Sequence, residues 1–245
     1  MNKLHFIEDF TKALADYHIS EASKQILKET TLVLLTAPAA GGRNTIIREL
    51  LKTGDYHFIV SDTTRKPRVN DGKPERDGVE YWFRSEKEML DDIHAGKFLE
   101  AEIIHGQQVS GISMRELQKA RDEQKIAINE VDIGGAHAIK QAKPDTISVI
   151  VLPPTFEEWQ RRFKARGAMA EDEHRRRLHT AVRIFEDALN HDYFNFIIND
   201  HVVNSSVAIN ELVRSGEANP EEQAKGRALA ERLYAETKLY LGTSS

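Results

Sequence analysis

Residues 31–51, TLVLLTAPAAGGRNTIIRELL, are the stretch that decides the fold. The apolar run LVLL near its start is too short for a helix and is typical of a buried parallel strand. A loop of small residues follows at 37–42, and the apolar spacing over 46–51 then indicates a helix. Such a loop directs backbone N–H groups and the positive end of the helix dipole at one spot, which suits a phosphate.

The phosphate-loop pattern G-x-x-x-x-G-K-[ST] is poorly kept in this stretch. Of its four fixed positions only Gly42 is present, since Ala37, Arg43 and Asn44 occupy the other three. On its own the stretch therefore favours a tight turn between a strand and a helix over a nucleotide site. Support for a nucleotide site has to come from the rest of the chain.

The composition restricts the class of protein. The chain has 245 residues, of which 40% are apolar and 30% charged, as expected for one large domain with appendages. With no cysteine, disulfides, cysteine-ligated zinc and a cysteine nucleophile are excluded. No segment is apolar for long enough to span a membrane and no signal-type start is present, so we expect a cytoplasmic protein without a membrane partner. A net charge of −5 argues against a nucleic-acid partner.

Strands and helices alternate along the chain, which predicts a mostly parallel sheet covered on both faces by helices. The predicted strands are 31–36, 57–61, 79–83, 98–105, 125–131, 146–153 and 194–198, and 106–111 is predicted to be a loop. Helix N-caps are predicted at Ser20, Ser85, Ser113, Thr155 and Asn219.

Polar residues follow several predicted strands, where ligands bind in such sheets. These positions are Arg43, the 61–68 loop, Glu100, Glu130 with Asp132, and an arginine-rich helix within 161–183. Such a basic run is usually a solvated helix face, and a binding role would require a small and highly anionic ligand.

Together these positions resemble the guanylate kinase family. The family's V-S-x-T-T-R-x-P-R is complete at 60–68, and the degenerate phosphate loop aligns at 37–45. The shorter motifs are G-x-x-Y-x-F at 78–83, F-L-E at 98–100, an acidic pair before glycine at 130–135, the arginines of 162–167 and 177–178, and N-D at 199–200. The match covers about 31–200, and the motifs occur in the order and at the spacing of the family.

The resemblance implies a fold and a division of the chain. The fold is α/β, a three-layer α/β/α arrangement like that of the P-loop nucleoside monophosphate kinases, with a mostly parallel central sheet. The kinase-like domain is expected at 31–214, with its core at 31–60, 106–160 and 191–214. A small GMP-binding subdomain is expected at 61–105 and a helical lid at about 161–190. Residues 1–30 and 215–245 would be helical extensions.

The implied activity is the ATP-dependent, Mg²⁺-assisted phosphorylation of GMP to GDP. The GMP-binding residues carried over from the family are Ser61, Arg65, Arg68, Tyr81, Glu100, Ser113 and Asp132. Two arginine forks three residues apart suit a dianionic monophosphate. A carboxylate at Glu100 suits the two adjacent N–H donors of guanine.

The resemblance also implies an ATP site. The ATP-binding residues would be Ala40, Gly41, Gly42, Arg43, Asn44, Thr45, Arg162 and Asn199. The catalytic residues would be Arg43, Asp132, Arg162, Arg166 and Arg177, and Mg²⁺ would be held by Asn44 and Glu130.

Departures from the family pattern leave alternatives open. Arg43 and Asn44 replace the usual lysine and hydroxyl residue, which favours a binding module that has lost ATP chemistry. The 106–113 segment lacks the family's tyrosines, so its missing base-reading hydroxyl could come from Ser110 or Ser113, and a kinase for another small phosphate is conceivable. The retained lid arginines, Asp132 and Asn199 favour the enzyme. The acidic residue of the 61–81 region could be Asp71, Glu75 or neither.

Overall fold

The computed structural model describes residues 3–70, 72–165, 167 and 169–243. Its helices are α1 (Ile7–Ala15), α2 (Glu21–Glu29), α3 (Arg43–Leu51), α4 (Glu86–His94), α5 (Met114–Asp122), α6 (Ile133–Ala142), α7 (Phe156–Ala165), α8 (Glu171–Leu189), α9 (Val202–Ser215) and α10 (Pro220–Thr243). Its strands are β1 (Leu32–Thr36), β2 (Tyr56–Phe58), β3 (Asp62–Thr63), β4 (Val69–Asn70), β5 (Lys73–Pro74), β6 (Trp82–Phe83), β7 (Phe98–Ile104), β8 (Gln108–Ser113), β9 (Ile126–Glu130), β10 (Ile147–Leu152) and β11 (Phe194–Ile198).

The chain forms two compact units. The first comprises Met1–Leu32, Asp55–Ala127 and Gln141–Pro144, and the second comprises Val33–Gly54, Ile128–Lys140 and Asp145–Ser245. Among the described residues, no helix combines the length and the apolarity that crossing a bilayer requires.

The first unit is built on a four-stranded sheet with the order β6-β3-β8-β7. Strands β7 and β8 are antiparallel, with Glu100 opposite Ile112 and a bulge between Phe98 and Glu100. The predicted loop at 106–111 is therefore wrong, because most of it lies in β8. The sequence obscures this strand because its alternating pattern is interrupted by Gly111, which lies against β7 where an added Cβ would be 2.4 Å from the carbonyl oxygen of Glu100.

Helix α1 shares an apolar core with the sheet of the first unit. Leu4 and Phe10 are buried together with Met89, Ile93 and Phe98. The hydroxyl of Tyr17 also donates to the carbonyl oxygen of Phe98. The N-terminal residues thus supply a part of this unit's interior.

The second unit contains parallel strands in the order β11-β10-β1-β9. Strand β10 pairs in parallel with β1 on one side and with β11 on the other. These central strands are almost wholly buried, as expected for a sheet covered on both faces. The mostly parallel sheet predicted from the sequence is confirmed.

Helix α10 completes the core of the second unit. It packs against α8 and β11, and Leu229, Leu233 and Leu241 are buried in the same cluster as Trp159 and Phe185. The predicted cap is present, since the side chain of Asn219 accepts hydrogen bonds from the first backbone N–H groups of this helix.

Candidate functional site

The loop between β1 and α3 forms one wall of a cavity of about 360 Å³ in the second unit. Residues 37–44 line it together with Asp132, Arg177, Thr180 and Ile184. Helix α3 begins at Arg43, directly after Gly42, whose φ of 100° is in the left-handed region. The loop thus leads into the N-terminus of a helix, as the sequence predicts, and offers an anion the backbone N–H groups of that terminus.

Side chains behind the loop fix its shape. The amide of Asn199, which is 5% exposed, donates to the carbonyl oxygen of Gly41 at 2.9 Å. The indole N–H of Trp159 donates to the carbonyl oxygen of Ala39 at 2.7 Å. An added Cβ at Gly42 would lie 2.1 Å from the amide nitrogen of Asn199, so only glycine fits there. The role of Asn199 in the structure is thus to clamp the loop.

Arg43 lies at the start of α3, and its side chain contacts residues at the end of β9. Its Nε is 3.0 Å from a carboxylate oxygen of Glu130, and its Nη1 donates to the carbonyl oxygen of Val131 at 3.2 Å. Its Nη2 has no protein partner among the described residues and can donate to a phosphate. Glu130, one of the two predicted Mg²⁺ ligands, is therefore engaged by Arg43.

Asp132 lies where β9 leads into α6. Its carboxylate accepts a hydrogen bond from the N–H of Gly135 at 2.8 Å, so it caps the helix while lining the cavity. Asn44, the other predicted Mg²⁺ ligand, is exposed and lines the same cavity. An amide oxygen and a carboxylate oxygen are hard ligands of the kind that Mg²⁺ prefers. Asn44 and Asp132 both line the cavity, whereas Glu130 is not among its lining residues.

The arginines predicted to belong to a lid are partly engaged within their own helices. Arg177 on α8 lines the cavity, and its Nε donates to Glu173 at 2.8 Å. Arg162 on α7 donates to Glu158 at 2.8 Å and to the main-chain oxygen of Asn199 at 2.9 Å. The predicted catalytic Arg166 lies outside the described residues.

Arg65 in the first unit makes a two-pronged ion pair with Glu75. Its Nη1 and Nη2 donate to the two carboxylate oxygens at 2.5 and 2.8 Å. The side chains of the pair are only 10% and 8% exposed. The hydrogen bonds from Arg65 are the main reason that the pKa of Glu75 is lowered to about 2. Of the two acidic residues that the sequence left open, Glu75 therefore pairs with Arg65, and Asp71 lies outside the described residues.

Aromatic rings support the same guanidinium. The Arg65 side chain lies over the rings of Tyr81 and Phe83, at 4.5 and 5.5 Å from their centroids. Glu75 also accepts the backbone N–H of Arg68, whose side chain is exposed. Ser61 accepts the N–H of Trp82 at its main-chain oxygen, which starts the pairing of β3 with β6. The loop therefore fixes the guanidinium of Arg65 against Glu75 and two rings, and leaves the side chain of Arg68 exposed.

The register of β7 and β8 separates the two candidate base-reading serines. Glu100 is opposite Ile112 and Glu102 is opposite Ser110, so these four residues project from one face of the sheet. Ser113 projects from the other face, where it is 4% exposed and its hydroxyl donates to Asp62 at 3.3 Å. Ser113, predicted to bind GMP, is therefore on the opposite face from Glu100, whereas Ser110 is on the same face.

A buried acidic pair behind this face was not predicted. Asp62 receives hydrogen bonds from Arg84 and Arg115 at 2.8 Å each, and burial nevertheless raises the pKa of its carboxyl group. Glu116 accepts the N–H of Val60 and the indole N–H of Trp82, rather than completing the predicted capping box at Ser113. Glu116 thus holds the backbone at Val60, and Asp62 holds the side chains of Arg84 and Arg115. The sequence offered little sign of Asp62, because it occupies a variable position of the 60–68 motif.

Comparison with known proteins agrees with this geometry. A family model described as guanylate kinase matches residues 28–215. A guanylate kinase of Corynebacterium jeikeium is 35% identical over 192 residues, covering 78% of this chain and 99% of its own. A guanylate kinase of Symbiobacterium thermophilum is 34% identical over 203 residues, which cover 82% of this chain and 92% of that protein.

A solved structure supports the fold. The crystal structure of guanylate kinase from Anaplasma phagocytophilum has a TM-score of 0.54 and 22% identity, covering 83% of this chain and 94% of its own. From the family match and the relatives together, the chain belongs to the guanylate kinase family.

Proposed function

We propose that this protein transfers the γ-phosphoryl group of ATP to GMP. The observation that carries the proposal is the cavity lined by the 37–44 loop, Asp132 and Arg177, since it combines a helix N-terminus, a carboxylate and a cation around one space. Phosphoryl transfer depends mainly on positioning and on the stabilisation of charge, which groups of this kind supply.

In the first unit, GMP would bind by its phosphate to Arg65 and Arg68, with Tyr81 beside Arg65. Guanine would lie on the sheet face that carries Glu100. A carboxylate there accepts from both N1–H and the C2 amino group, whereas adenine has neither donor. Ser110, on the same face, would supply the hydroxyl that the sequence pattern lacks at Ile112.

In the second unit, the phosphates of ATP would bind to the 40–45 backbone and to Arg43. Asn44 and Asp132 would hold Mg²⁺, which would neutralise part of the negative charge of the phosphates. Arg177 on α8 would contact the phosphoryl group that is transferred. Arg162 on α7 would stabilise the negative charge of the same group. Asn199 would act by holding Gly41 rather than by direct contact with the base.

The test is ADP production with ATP, Mg²⁺ and a panel of nucleoside monophosphates. We expect turnover with GMP well above that with AMP, CMP or UMP. Glu100→Gln should narrow the GMP-to-AMP ratio of kcat/KM, because the amide cannot accept from both guanine donors. If wild type phosphorylates AMP as readily as GMP, the assignment of Glu100 is wrong.

A binding module without turnover is the second candidate, and the contact between Arg43 and Glu130 favours it. That contact places a carboxylate 3.0 Å from the guanidinium, which offsets part of the positive charge that would otherwise act on the phosphates. Titration calorimetry separates the two functions: GMP binding with no ADP formed would support the module, and ADP formation with GMP would exclude it.

A further inference from the structure

His137 on α6, Asp187 near the end of α8 and His191 in the following turn form a cluster outside the site described above. One ligand atom from each side chain lies within 4.8 Å of the other two. Oδ1 of Asp187 is 2.7 Å from Nε2 of His137 and 3.3 Å from Nδ1 of His191. Within the residues that the structure describes, no other three histidine or acidic side chains meet in this way.

We propose that this cluster binds a divalent cation of the Zn²⁺ type through all three side chains. Two imidazole nitrogens and one carboxylate oxygen are a set that Zn²⁺ and Co²⁺ prefer, whereas Mg²⁺ and Ca²⁺ take oxygen ligands. Tetrahedral Zn²⁺ with bonds of about 2.0–2.1 Å keeps its ligand atoms about 3.3 Å apart. The Asp187–His191 pair already has that spacing. His137 is 2.7 Å from Asp187, and the ligand nitrogens of the two histidines lie within 4.8 Å of each other, so a bound cation requires the His137 ring to move away from Asp187 and toward His191.

The surroundings orient the ligand atoms. The hydroxyl of Tyr193 contacts Nδ1 of His137, which leaves Nε2 directed at Asp187. Metal-binding histidines usually have their second ring nitrogen held in this way. Nδ1 of His191 contacts the main-chain oxygen of Asp187 at 2.8 Å, and a bound cation replaces that contact. The three side chains are between 29% and 42% exposed, so an ion can enter from solvent and keep a water ligand.

The position of the cluster gives the cation a structural role. Asp132, which lines the loop cavity, directly precedes α6, and α8 carries the lining residues Arg177 and Ile184. Asp187 lies three residues beyond Ile184 on α8. A cation shared by these helices ties the end of α8 to α6 and steadies the cavity wall. The site does not depend on phosphoryl transfer, since a chain without activity would still bind the ion.

The test uses the full chain without an affinity tag, freed of metal with EDTA and then dialysed. Calorimetric titration with Zn²⁺ should show one ion per chain, and Co²⁺ should give the visible absorption of a tetrahedral site. At a hundredfold excess of free Zn²⁺ over Kd, Tm should rise by roughly 5–10 °C. A wild type that shows neither stoichiometric binding nor a Tm rise would overturn the proposal and leave the cluster as an ion pair.

Variants separate the cluster from other histidines. Asp187→Asn keeps the side-chain shape, and His191→Ala removes a part-exposed ring, so both should fold with an unchanged far-UV circular dichroism spectrum. Each should weaken Zn²⁺ binding at least tenfold. His179→Ala is the matched control, because it removes an exposed imidazole from the same helix α8. Unchanged binding in both cluster variants, or an equal loss in the control, would show that the ion binds elsewhere.

Discussion

At the level of single residues, the sequence identified most groups of the candidate site but not their partners. Arg43 and Glu130 were assigned separately, to ATP and to Mg²⁺, yet the structure pairs them at 3.0 Å. Such pairs are hard to foresee, because an ion pair depends on the distance between side chains from different elements. A sequence motif shows that each charged residue is present, but not which residue it contacts.

The first prediction concerns Arg43. If its Nη2 binds the β- and γ-phosphates, Arg43→Ala should lower kcat for ADP production roughly a hundredfold or more. Arg43→Lys should keep activity because the charge remains. GMP affinity should stay unchanged, since the GMP groups belong to the first unit. Arg48→Ala is the control, because it removes an exposed arginine from the same helix. Equal activity in Arg43→Ala and wild type would exclude the bridging role.

The second prediction concerns the pH dependence of the Arg65–Glu75 pair. The pKa of Glu75 is about 2 in the folded protein and near 4.5 for an unperturbed side chain. The pair therefore stabilises the fold fully above about pH 4.5, and this stabilisation is lost as pH falls toward 2. In urea unfolding at pH 7, the free energy of unfolding should be larger for wild type than for Glu75→Gln. This difference in free energy should decrease between pH 4.5 and pH 2. A constant gap across that range would contradict the assignment.

At the level of elements, the helices and the buried strands β1, β9, β10 and β11 were predicted closely, and β8 was not. The strand predicted at 79–83 is also too long, because only Trp82–Phe83 is a strand and 78–80 form a turn. Strand β11 lies where it was predicted at 194–198, and the capping box of Ser85 and Glu88 is present. These signals are local: a continuous apolar run, or a cap three residues from its partner. Strand β8 depends on pairing with β7 across a bulge, and a single sequence does not reveal such a register.

The third prediction follows from that register. Ser110→Ala should weaken GMP binding and reduce the preference for GMP over AMP, because Ser110 shares a sheet face with Glu100. Ser113→Ala is the matched control: it removes a buried hydroxyl that donates to Asp62, so it should lower Tm and leave GMP affinity unchanged. Titration calorimetry and thermal unfolding measure both. If GMP affinity falls only in Ser113→Ala, guanine does not bind on the sheet face that carries Glu100 and Ser110.

At the level of the whole molecule, the family match covers all residues that line the loop cavity but not the C-terminal helix. The family model ends at residue 215, and α10 begins at Pro220. The sequence predicted this helix as an extension, because it lies beyond the family motifs, which cover about 31–200. In the structure its buried side chains fill the core beside α8, and the side chain of Arg175 on α8 donates to the main-chain oxygen of Leu241 at 3.2 Å. Helix α10 therefore stabilises the position of α8, the helix that carries Arg177.

The last prediction tests this role of α10. Leu233 is 0% exposed and lies in the core of the second unit, whereas Leu239 on the same helix is 69% exposed. Leu233→Ala should therefore lower the free energy of unfolding by about 2–5 kcal/mol, through lost burial and the cavity left behind. Leu239→Ala should change it by no more than about 0.5 kcal/mol.

Hydrogen exchange locates the effect of Leu233→Ala. Backbone protection should fall in α8 and β11, against which α10 packs, and should stay unchanged in β7 and β8 of the first unit. GMP affinity should likewise be kept, because its proposed ligands lie in the first unit. If Leu233→Ala and Leu239→Ala unfold at the same urea concentration, α10 adds nothing to the core. In that case the elements within the family match at 28–215 are enough to hold α8 in place.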